Sequence, residues 1–106
     1  MQDIQEFAEE YFDAAVAPFR ERYFSLFGDA VVVHDDGRGH HGLMAVRRWH
    51  AEVPSVRYDV REVTGTATAC RAVAQISGDF PGSPVVLRFT FRRDTRGKII
   101  QLDIAP

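Results

Sequence analysis

Pro54 divides this chain into halves with different hydrophobic periods. Before it, apolar residues recur at steps of three and four; after it no helical pattern remains, and apolar and polar residues alternate. Helices followed by strands in one short chain imply an α+β fold, with the helices covering one apolar face of a sheet. At 106 residues the chain is a single domain, spanning 1–106, with one core.

In the first half, Ile4, Phe7, Ala8, Tyr11, Phe12, Ala15 and Val16 line one side of a helix over about 4–16. Asp3 and Glu6 have the spacing of a capping box, and Pro18 stops the pattern because it lacks an amide hydrogen. A second helix is expected from Phe19 to Phe27, with Gly28 behind it. Val31, Val32 and Val33 then make a short strand, turned at Asp36-Gly37-Arg38-Gly39 and returning briefly through His40 and His41. Helix three, from Leu43 to about Glu52, puts Leu43, Val46, Trp49 and Val53 along one stripe.

The second half reads as four strands, Val56 to Val63, Ala67 to Ser77, Val85 to Arg93 and Lys98 to Ile104, joined as an antiparallel meander. Val85, Leu87, Phe89 and Phe91 share one face of the third, and in the last Ile100, Leu102 and Ile104 oppose Ile99, Gln101 and Asp103. The other sheet face mixes Arg71, Val73, Gln75, Arg88, Thr90 and Arg92 with Gln101 and Asp103. A half-polar face of this kind suits pairing with a second copy, so a homodimer through the sheet is expected.

Thirteen basic against fifteen acidic residues leave a net charge of -2, with no positive field to attract nucleic acid. Cys70 is alone and cannot form an internal disulfide; it shares a strand face with Ala72, Ala74 and Ile76, as a buried hydrophobe would. The start is acidic and amphipathic rather than signal-like, and no run reaches the roughly 18 apolar residues of a membrane span. A cytoplasmic protein without membrane contact is expected.

Residues 29 to 50 hold the polar groups suited to chemistry: three of the four histidines precede Trp49 there, and Asp29, Asp35 and Asp36 accompany them. No metal is expected, because the spacing of His34, His40 and His41 matches no metal motif. Adjacent His40 and His41 in a strand point to opposite faces, so at most one can join His34. No phosphate-cradling glycine loop is present, and no cofactor is expected.

The order of elements, together with Asp29-Ala30-Val31-Val32-Val33, Asp36-Gly37 and Gly42-Leu43-Met44-Ala45-Val46-Arg47-Arg48-Trp49, resembles the SnoaL-like branch of the nuclear transport factor 2 and ketosteroid isomerase superfamily. The stretches from Gly78 to Phe89 and from Gly97 to Ile104 look like that branch's closing strands. The resemblance implies a cone-shaped fold in which three N-terminal helices pack on a curved antiparallel sheet around an apolar pocket. It places the family's general base at His34 or Asp35 and its hydrogen-bond-donating tyrosine at Tyr11. Trp49, Tyr23, Tyr58, His41 and Phe89 become pocket residues. The family's second acidic donor falls on Leu87, which has no proton to give, so steroid isomerisation is not expected.

What the resemblance implies is acid–base chemistry of isomerase, cyclase or dehydratase type on a small hydrophobic carbonyl compound. The alternative is a non-catalytic module of the same fold that binds a small molecule or another protein surface.

Overall fold

The computed structural model describes residues 2–106. The chain runs α1 (Ile4–Val16), α2 (Arg20–Phe24), β1 (Phe27–Asp35), β2 (Arg38–His41), α3 (Leu43–Glu52), β3 (Val56–Gly65), β4 (Ala69–Gly78), β5 (Val85–Arg93) and β6 (Ile99–Ala105). The α+β reading holds: three helices accompany a curved, open, six-stranded sheet in the order β2-β1-β6-β5-β4-β3. No helix is long and apolar enough to cross a membrane among the described residues.

Asp3 caps α1, its carboxylate accepting a hydrogen bond from the Glu6 amide at 2.7 Å. The helix buries Phe7, Ala8, Tyr11, Phe12 and Ala14, whereas Val16, expected on that side, is exposed at the end of its last turn. Helix α2 is shorter than its apolar residues suggest. The Ile99 amide donates to the Leu26 carbonyl at 2.8 Å, and this pairing draws Phe27 out of the helix and into β1.

Two expectations about the sheet need correction. Strand β1 is nine residues long rather than the three valines, and the sheet is mixed rather than antiparallel. After its hairpin with β2, β1 lies parallel to β6, with Val33 opposite Leu102 and His34 opposite Asp103. Such a join links distant segments chiefly through backbone groups and leaves no local pattern. In β6 the register slips opposite Arg92 and Arg93, leaving Ile100 as an extra residue. Ile99 and Leu102 are therefore both fully buried and Ile100 is exposed, against the simple alternation expected.

The β1–β2 turn requires its glycine. Asp36 and Gly37 have φ of 53° and 74°, the two left-handed residues that match a two-residue hairpin to strand twist. Alternation along β1 then sends Val31, Val33 and Asp35 toward the helices and His34 to the opposite face.

The core between the sheet and helices is aromatic at its centre: Phe91 meets Phe7 at 5.0 Å and Tyr11 at 4.8 Å, edge to face in both cases. Phe91 is wholly buried. Replacing it by alanine should cost about 3–5 kcal/mol, read as a lower denaturation midpoint in urea with an unchanged slope.

Candidate functional site

A cavity of about 170 Å³ lies between the helices and the sheet. Each wall comes from a different element: Tyr11 from α1, Tyr23 from α2, Asp35 from the end of β1, Trp49 and His50 from α3, and Tyr58 from β3. Leu87 and Phe89 of β5 form its floor, and Phe80, from the loop between β4 and β5, reaches its edge. Most of the lining is apolar, so the few polar atoms in it are the ones to account for.

The first is the Asp35 carboxylate. The Trp49 indole N–H donates to its Oδ2 at 3.0 Å, which fixes the carboxylate while leaving Oδ1 for a ligand. The second is a pair of phenols, Tyr11 and Tyr23, whose hydroxyl oxygens lie 2.8 Å apart. Both residues are almost fully buried. The pair carries two hydroxyl hydrogens and one is used between the rings, so the other remains to be donated.

Burial holds the Tyr11 hydroxyl well above the usual phenol range, and the neighbouring Tyr23 and Tyr58 add to this. Burial also raises Tyr23, although its bond to Tyr11 acts the other way. Tyr58 is pushed up to about 12, first by burial and then by the Asp35 carboxylate. All three phenols therefore stay protonated near neutral pH, as hydrogen-bond donors must.

His50 did not emerge as a candidate from the sequence. Its ring stacks on Tyr23, centroids 4.1 Å apart, and its Nε2 lies 3.2 Å from the Ala15 carbonyl. A carbonyl can only accept, so Nε2 carries the hydrogen; Nδ1 is then left as a buried acceptor without a partner. The signal was present: His50 follows Val46 by four residues and Leu43 by seven, on the apolar stripe of α3.

Of the residues singled out from sequence, Tyr11, Tyr23, Asp35, Trp49, Tyr58 and Phe89 share the cavity. His34 and His41 do not line it. His34 follows a buried valine, so strand alternation turns it to the outer sheet face, where its Nδ1 lies 2.8 Å from Asp103. His41 sits on that same side, its ring 6.4 Å from His34, whereas His40 faces inward, 6.0 Å from Trp49. No group of three or more His, Cys, Asp or Glu side chains is arranged to hold a metal ion among the described residues.

A crystal structure of a candidate polyketide cyclase from Sinorhizobium meliloti superposes with a TM-score of 0.85 at 30% identity, covering 98% of this chain and 99% of that one. The chain belongs to the SnoaL-like, nuclear transport factor 2-like superfamily. The same fold is seen in a Δ5-3-ketosteroid isomerase from a Mycobacterium species, with a TM-score of 0.80, 19% identity and coverage of 97% and 92%. A SnoaL-like protein of unknown function from Burkholderia thailandensis also matches, with a TM-score of 0.80, 12% identity and coverage of 95% and 92%. The chain matches no protein-family sequence model and no curated protein.

The environment of His50 sets a pH dependence. Burial holds its pKa below the usual 6.5, with Arg20 assisting and the bond to Ala15 opposing. The unfolded chain therefore takes up the proton first. Stability from neutral His50 is complete above about pH 6.5 and is lost as the pH falls toward the lower folded value. His50→Asn should flatten that part of the curve of Tm against pH; parallel losses in both proteins would remove His50 as the cause.

Proposed function

We propose that the cavity binds a compact, mostly apolar carbonyl compound and that Asp35 moves a proton at the carbon next to its carbonyl. The observation that carries this reading is that one apolar cavity is lined both by a carboxylate with a free oxygen and by a buried phenol pair with a hydrogen to spare. Asp35 would act as general base, and Tyr11, supported by Tyr23, would donate to the carbonyl oxygen as it gains negative charge. His34, the other candidate base, points away from the cavity. Trp49 holds the base in place, and Tyr58 and Phe89 shape the wall.

The volume of about 170 Å³ lies below the roughly 300–1,000 Å³ of drug-sized sites, which favours a ligand of one or two rings over a tetracyclic one. Leu87 adds to this, since it puts an aliphatic side chain in the wall at the position where the isomerase resemblance calls for an acidic donor. Isomerisation, aldol cyclisation and dehydration all begin with the same proton removal, and the geometry favours that shared step. No metal or cofactor is assigned a part in it.

In this reading the protein is cytoplasmic, its helices and sheet form a cone around the ligand, and two copies pair through the outer sheet face. Val86 and Ile100 are exposed there, which supports the pairing.

The test is exchange of ketone α-protons for deuterium in D₂O, followed by proton NMR over a panel of one- and two-ring ketones and enones. Catalysed exchange is expected, falling about 10²–10⁴-fold in Asp35→Asn and about 10²–10³-fold in Tyr11→Phe, while His34→Gln keeps the rate. Thermal stabilisation by the same compounds without exchange would replace this reading with a binding module. Exchange that survives Asp35→Asn would remove Asp35 as the base.

A further inference from the structure

We propose that His34 and His41 form an open two-histidine site for a divalent transition-metal ion at the β2–β1 edge of the outer sheet face, beside the central strands assigned to pairing, separate from the cavity and independent of its chemistry. Across the sheet Gly39, His34 and Asp103 are neighbours on β2, β1 and β6, and His41 lies two residues beyond Gly39 on the same face. Gly39 leaves a notch between the rings. A Cβ at that position would stand 3.2 Å from His41 Nε2 and 3.5 Å from His34 Nε2, so both nitrogens border one small space.

The partners of His34 prepare it as a ligand. Asp103 accepts from Nδ1 at 2.8 Å, which leaves the lone pair of the neutral ring on Nε2, the nitrogen beside the notch. Gln101 donates to the other Asp103 oxygen at 3.0 Å and so holds the carboxylate in place. A carboxylate orienting one ring nitrogen while the other binds the ion is the usual outer support of a metal-bound histidine. Metal–nitrogen bonds are about 2.0–2.1 Å, so both exposed rings must turn toward a common point at the mouth of the notch to share an ion. Two imidazoles without thiolates suit zinc, nickel or copper, with water completing the shell.

The experiment is calorimetric titration of the untagged full chain with Zn²⁺ and with Ni²⁺ at neutral pH. One ion per chain is expected, with affinity lowered tenfold or more by His34→Gln and by His41→Gln. Asp103→Asn keeps both ligands and should weaken binding by about 10–100-fold. Gly39→Val keeps both histidines but fills the notch and pushes the His41 ring aside, and should abolish uptake; Gly39 is not left-handed, so the substitution adds no backbone strain. His40→Gln, on the inner face, should bind as the parent does. In the parent protein, Zn²⁺ should shift the ring NMR signals of His34 and His41 and leave those of His50 in place. Absence of uptake, unchanged affinity in either histidine variant, full binding by Gly39→Val, or ring signals of His34 and His41 that do not move would each overturn the site.

Discussion

The parallel pairing of β1 with β6 is the joint on which the rest of the molecule depends. Without it the β1–β2 hairpin and the four-stranded meander are separate pieces, each with a bare apolar face and too little partner surface to bury it. With it, one continuous sheet offers Val31, Val33, Ile99 and Leu102 to the helices, and all four are completely buried. The same register decides which side chains of β1 face inward. Asp35 shares a side with Val31 and Val33, while His34 is set beside Asp103 on the other side.

Keeping polar groups in so apolar an interior has a cost that the surroundings of each group offset. A buried hydroxyl without a partner costs on the order of 1–3 kcal/mol, and Tyr11 and Tyr23 reduce that cost by bonding to each other. Asp35 is half-buried in the cavity lining and takes the Trp49 indole as its donor, so it is neither fully desolvated nor free to turn away. His50 is the exception, since burial leaves its Nδ1 without a partner and disfavours its charged form. The cavity is thus a region where close packing was given up around a few polar atoms held in fixed positions.

Much of this was legible in residue order. The 3.6-residue period from Ile4 placed Tyr11 on the buried face of α1, the Asp36-Gly37 turn located the hairpin, and alternation in β5 put Phe89 and Phe91 inward. Where reading failed, long-range backbone pairing was the competitor. Phe27 carries the apolar character of a helix residue, yet its backbone pairs with Ile99. The bulge at Ile100 inverts which isoleucine is buried, and nothing in Lys98-Ile99-Ile100 announces it.

For the site, the sequence by itself determined the cast: a strand ending in His34 and Asp35, a tyrosine on a buried helical stripe, and a tryptophan on the helix that follows. Only the tertiary structure decided which of those two adjacent strand residues faces the cavity. Neighbouring residues in a strand face opposite ways, and which face is the inside depends on where β6 docks, some 70 residues later in the chain. That docking turned Asp35 into the cavity and left His34 beside Asp103 on the outer face.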